Sequence, residues 1–182
     1  MNKKLNTINL ELKMNMFAQI IVLLFVFYTS FEKLFSKYTP NTNKLISFII
    51  LCIAFYISLQ RTTYLPFLGY TVLPPTSIKD YFIPDKANIE TTLQLKDIPD
   101  NTKIIYWGAK PSNEVIKTPQ SAYEDFSNCG IALVKNEKAQ VSFHCPSKYL
   151  IPWGKTLERH LHYRIVYSNG MLSPVQTVFV KC

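Results

Sequence analysis

His160-Leu161-His162-Tyr163-Arg164-Ile165-Val166-Tyr167 (HLHYRIVY) decides how this chain is read. Aromatic and β-branched residues dominate the octet, and Asn169-Gly170 closes it with a turn signal, so it reads as a β-strand. Side chains at i and i+2 of a strand share a face, about 6.5–7 Å apart at Cα, so His160 and His162 can turn two imidazoles toward one cation.

Working outward, the same period-two character recurs at 89–95, 103–109, 130–134, 139–145 and 175–181. These runs are short and are separated by clusters of Pro, Asn, Asp, Gly and Ser. Six or seven such strands with no amphipathic helix between them predict an all-β, antiparallel β-sandwich over 86–182. Before it, 62–85 carries Pro66, Gly69, Pro74, Pro75 and Pro84, a composition that breaks regular structure and predicts an extended linker.

The first third has a different character. Residues 16–31 (MFAQIIVLLFVFYTSF) and 45–59 (LISFIILCIAFYISL) contain no charged residue. A bilayer-crossing helix needs about 20 apolar residues, so flanking polar groups must snorkel to complete each span. No small-residue cleavage site follows the first run and a second apolar run does, which favours two membrane helices over a secretory leader. The segment 32–44 contains Thr39-Pro40-Asn41 and suits a hairpin within a membrane domain over 1–61. Lys3, Lys4, Lys13 and Arg61 flank the hairpin, against Lys33, Lys37 and Lys44 in its loop, an excess of one that tilts the soluble part toward the cytosol.

The net charge of +8 is concentrated near the lipid: seven basic and two acidic residues up to Arg61 give +5, and thirteen against ten thereafter give +3. Anionic headgroups explain that distribution, and no basic face for nucleic acid is indicated. Cys52 lies inside the second apolar run, leaving Cys129, Cys145 and Cys182 in the soluble part. An odd count argues against a full disulfide framework, favours a reducing compartment and leaves a Cys129–Cys145 bridge open; no Cys-x-x-Cys pair offers a zinc ribbon. A Gly-rich phosphate loop, a Gly-x-Ser-x-Gly elbow and a His-Glu-x-x-His helix are all lacking, so nucleotide hydrolysis, serine hydrolase and zinc protease chemistry have no support.

Five segments taken in order carry a resemblance: Ile105-Tyr106-Trp107-Gly108-Ala109, Ala122-Tyr123-Glu124-Asp125, the hairpin 130–143, Pro146-Ser147-Lys148-Tyr149, and His160-Leu161-His162. Their order resembles the catalytic core of the intradiol ring-cleavage dioxygenases, sandwich proteins that hold a non-haem Fe(III) with two Tyr and two His. The resemblance implies Fe(III) ligands at Tyr149, His160 and His162, with Tyr123 as the less well matched fourth, and a catechol-type aromatic as substrate. It also matches Val175-Gln176-Thr177-Val178-Phe179 to the strand after the histidines. Fe(III) is a hard ion that favours anionic oxygen, and two phenolates with two neutral imidazoles suit it.

The pattern is departed from in three places. The hairpin has Asn136-Glu137-Lys138-Ala139 where the family has Asp and Gly, the position of the family's substrate arginine is Leu157, and a membrane hairpin replaces the helical dimerisation segment. Arg159 and Arg164 stand nearby at other positions. Bland expectations stand beside the sharp ones: Tyr106 and Trp107 as core and rim with Trp107 packed inward, His144 as structural, Glu124 and Asp125 as a solvated loop tip. The competing function is a non-catalytic, membrane-anchored assembly protein with protein partners. Tyr106-Trp107-Gly108-Ala109 and 160–164 also resemble uncharacterised membrane proteins of large DNA viruses.

Overall fold

The computed structural model describes residues 2–151 and 154–182, without the side chains of 2–9, 11, 12 and 75. The chain separates into two compact units, one running to Gly69 and the other from Tyr70 to Cys182.

In the first unit, α1 (Asn2–Phe35) and α2 (Asn41–Leu59) pack on each other across a five-residue connection ending at Pro40. Within them, Lys13–Phe35 and Asn41–Leu59 are long and apolar enough to cross a membrane. Both extend beyond the apolar runs 16–31 and 45–59, which supplies the missing length. The buried positions are small, Ser30, Ser47 and Ala54, while Phe17, Phe25, Phe48 and Phe55 face outward. Small residues at these positions let two helices approach closely.

The second unit is an antiparallel sheet. Its strands are β1 (Thr71–Val72), β2 (Ile89–Gln94), β3 (Lys103–Gly108), β4 (Cys129–Lys135), β5 (Lys138–Phe143), β6 (Tyr149–Leu150), β7 (Thr156–Leu157), β8 (His160–Val166), β9 (Met171–Leu172) and β10 (Gln176–Phe179). Hydrogen bonding links eight of them in the order β1-β9-β8-β3-β4-β5-β2, with β10 also on β8, while β6 and β7 pair separately. The six strands read from period-two pattern all form, with ends shifted by at most two residues.

Alternation decides which residues make the core. Leu161, Tyr163 and Ile165 of β8 meet Ile104 and Tyr106 of β3, Ala132 and Val134 of β4, and Ala139, Val141 and Phe143 of β5. Tyr106 is fully buried and donates a 2.7 Å hydrogen bond to Ser142 O. Its ring crosses the chain at Gly130, its cross-strand partner, where a Cβ would stand 2.1 Å from Tyr106 Oη. The opposite faces of β3 and β4 carry Ile105 and Ile131, which receive Ile78, Val166 and Leu172.

The stretch 62–85 is thus more than the extended linker its prolines predict. Residues 71–72 pair with β9, Phe82 exchanges backbone hydrogen bonds with Ile131, and Ile78 is buried. The regular elements among these prolines are only two or three residues long, and the apolar residues between them dock on the sheet.

Candidate metal centre

Two neighbours frame the face of β8 that carries His160 and His162. Trp107 of β3 pairs with His162, and across the other edge Thr177 and Phe179 of β10 pair with His162 and His160. Residues paired across strands share a face. Trp107 therefore lies against the His162 ring, 5.6 Å between centroids, on the face opposite the core. That corrects the expectation that Trp107 packs inward: Tyr106 took the core side, and the alternation leaves Trp107 half-buried beside the histidines.

Two connections bring the phenols. Ile116 pairs in parallel with Tyr149, exchanging Ile116 N–Lys148 O and Leu150 N–Ile116 O bonds of 2.9 Å each, and β6 also pairs with β7. Tyr149 is consequently 4% exposed. Tyr123 follows the one-turn helix α3 (Pro119–Ala122), whose N-cap Thr118 accepts a bond from Ser121 N at 3.1 Å. Ala122 is fully buried and its carbonyl accepts from Lys110 N at 2.8 Å, so the turn is held where Tyr123 can reach Tyr149. Asn128 braces the same region, donating 2.9 Å bonds to Ala109 O and His144 O.

The four residues singled out in the sequence, Tyr123, Tyr149, His160 and His162, stand together. Their rings close a circuit, with centroid separations of 5.5 Å from Tyr123 to Tyr149, 5.5 Å from Tyr149 to His160, 4.7 Å from His160 to His162 and 6.0 Å from His162 back to Tyr123. Tyr123 Oη donates to Tyr149 Oη at 3.1 Å, and Tyr149 Oη lies 3.2 Å from His160 Nε2.

Partners outside the circuit orient the imidazoles. His160 Nδ1 meets the carbonyl of Glu158, which can only accept, so a neutral ring presents the lone pair of Nε2 inward. His162 Nδ1 lies 2.9 Å from Thr177 Oγ1. This is how metal-binding histidines are held: the far nitrogen is tied and the near one is aimed. First-row ions take N and O donors at about 2.0–2.2 Å, which sets neighbouring donors roughly 2.8–3.6 Å apart. The Oη–Oη and Oη–Nε2 separations fall in that interval. Burial and the adjacent Tyr149 push the Tyr123 phenol well above its ordinary pKa, so without a cation nearby it stays neutral.

Among the described residues no three His, Cys, Asp or Glu side chains gather as a metal-binding group, so any ion here depends on the phenols. Thr177 and the Glu158 carbonyl were not foreseen. Thr177 lay within a recognised strand, but only the β10–β8 register reveals which histidine it faces.

The remaining candidates sit elsewhere. His144 Nε2 lies 2.8 Å from Asp85 O and serves structure. Glu124 forms an exposed 3.1 Å ion pair with Lys110. Arg164 is buried, donates to Thr71 Oγ1 and Ser173 O, and fastens β1. Arg159 turns to Cys145 and Cys182. The disulfide joins Cys145 to Cys182, with Cα atoms 5.9 Å apart, and Cys129 is a free thiol. That replaces the Cys129–Cys145 bridge left open by the sequence: Cys129 begins β4, paired with Trp107, and Cys182 instead follows β10 toward Cys145.

Neither a protein-family model nor a curated protein sequence matches the chain.

Proposed function

We propose that this chain is a membrane-anchored metal protein whose β-sandwich domain binds a non-haem Fe(III) through Tyr123, Tyr149, His160 and His162 and uses it on a catechol-type aromatic. The closed circuit of two phenols and two imidazoles carries the reading. Isolated histidine pairs are common on strands; two phenols brought in by separate connections, with both Nδ1 atoms tied outside, are a donor set. Phenolate oxygen and imidazole nitrogen suit a hard, high-charge ion better than they suit a soft one. Bound Fe(III) would supply the Lewis acidity and redox reactivity needed for dioxygenase chemistry.

The chain's own groups have separate tasks. Glu158 O and Thr177 Oγ1 fix the two rings, and burial excludes water from the inner donors. Phe126 and Phe179 stand beside Tyr123 and His160, at 6.2 and 6.1 Å, and are 54% and 71% exposed. They offer apolar shoulders to a planar aromatic. The helices α1 and α2 act as a transmembrane hairpin. The Cys145–Cys182 disulfide supports a soluble domain on the oxidising side of the membrane, against the single-charge asymmetry that favours the cytosol.

Iron(III) titrated into the purified full-length chain should give a visible phenolate charge-transfer band that Tyr149→Phe removes. A colourless wild-type protein with no bound iron would reject the reading. A second reading, a non-catalytic assembly protein, draws on one observation: Arg159 and Arg164 both point away from the circuit. It predicts that His160→Ala leaves partner cross-linking in the native membrane unchanged.

A further inference from the structure

The disulfide ties together three of the segments that build the metal centre, those carrying Tyr149, His160 and β10. Cys145 begins the connection Pro146-Ser147-Lys148-Tyr149, and Cys182 ends the stretch that follows β10, whose Thr177 and Phe179 lie against His162 and His160. Arg159, next to His160, bridges the two: its Nη1 donates to Cys145 Sγ at 2.9 Å and to the Cys182 carbonyl. Val180 N also donates to Arg159 O at 3.1 Å. Apart from these links, β10 has β8 as its one strand partner, with Val178 packed against the core.

We propose that the redox state of Cys145–Cys182 regulates the metal centre: the disulfide with Arg159 holds Tyr149, His160 and β10 in register, and its reduction loosens β10 and weakens metal binding. The inference rests on the metal reading above. Cys182 is exposed, and Lys148, Glu158, Arg159, Phe179, Val180 and Cys182 line an open depression that admits a reductant. The reductant is a dithiol. Its thiolate attacks Cys182 Sγ, the Cys145–Cys182 bond breaks and Cys145 leaves as thiolate. The second thiol of the reductant then displaces Cys182, so two electrons and two protons pass to the pair and the dithiol becomes a disulfide. Once β10 frays, Thr177 no longer ties His162 Nδ1 and Phe179 no longer covers His160. Losing such outer partners costs metal sites about 10–100-fold in affinity.

The test uses full-length protein in lipid nanodiscs, with Cys52→Ser and Cys129→Ser so that only one pair reacts. Iron(III) is supplied as its nitrilotriacetate complex to oxidised protein and to protein that has been reduced and alkylated. The oxidised form should bind about 10–100-fold more tightly, and Cys145→Ser/Cys182→Ser should match the reduced form whatever the redox conditions. Equal affinities in the two forms would overturn the inference while leaving the metal reading intact. Should oxidised protein bind no iron, the metal reading fails and amide exchange decides the staple by itself. Reduction should speed exchange at 176–180 while 104–106 and 130–134 stay protected; unchanged exchange, or loss of protection throughout, would overturn it.

Discussion

Thr177 Oγ1 lies 2.9 Å from His162 Nδ1 because β10 and β8 pair these two residues directly. A hydroxyl in that position holds Nδ1 and fixes the ring's tilt. Thr177→Val keeps the β-branched shape and deletes the tie. Iron affinity, measured by competition with a chelator, should fall about 10–100-fold with little change in thermal stability. An unaltered affinity would mean that Trp107 alone orients His162.

His160 and His162 should differ when each is replaced by alanine. His160 is 4% exposed and joins Glu158 O to Tyr149 Oη, so His160→Ala leaves the buried Tyr149 hydroxyl without that partner. An unsatisfied buried group costs about 1–3 kcal/mol, and denaturant unfolding should show a loss of that order or more. His162 is more open, and its removal should cost less than about 1 kcal/mol. Both variants should lose iron.

Much of this architecture was legible. Alternation located the strands, and the sequence HLHYRIVY put both histidines on one face, because both signals are local. What stayed hidden depended on register and on long-range closure. Nothing near Thr177 says that it faces His162, nothing near Cys182 says that it reaches Cys145, and proline in 62–85 masked a segment whose Ile78 docks on the sheet. Trp107 was misplaced for a similar reason, since a one-residue choice of face sends Tyr106 inward and Trp107 toward the histidines.

Gly130 is required by close approach. A Cβ there would stand 2.1 Å from Tyr106 Oη, 2.3 Å from Tyr106 Cζ and 2.8 Å from Phe82 O. The ring is fully buried and cannot swing away, so Gly130→Ala should destabilise the domain by about 3 kcal/mol or more. Adding Tyr106→Leu should make the double variant less unstable than the sum of the single changes, because one clash is shared. Simple additivity in denaturant melts would count against this account of the ring.

Alkaline stability should report the same ring. Burial pushes the Tyr106 phenol up from 10.0 to about 12. Above pH 10 the unfolded chain releases this proton while the folded chain keeps it, so unfolding gains and stability falls as pH rises. The contribution is complete below pH 10 and is lost by about pH 12. Tyr123 and Tyr163, also raised by burial, add slopes of the same sign, so the comparison needed is with Tyr106→Phe, whose stability should decline less steeply over that window. Parallel curves would show that Tyr106 ionises alike in both states.

The disulfide should also matter for folding as such. It closes a loop with a sequence separation of 37 that contains β6 to β10, and the chain-entropy model assigns a closure of that length about 4 kcal/mol. Cys182→Ser should lower stability by that order in denaturant unfolding under oxidising conditions, and by nothing once wild-type protein is also reduced. The lost constraint acts on the unfolded chain, whereas the predicted loosening of β10 is a property of the folded one. The two separate by experiment: a variant that is less stable yet keeps Thr177 on His162 retains its iron affinity, so the entropic effect alone cannot account for weakened metal binding.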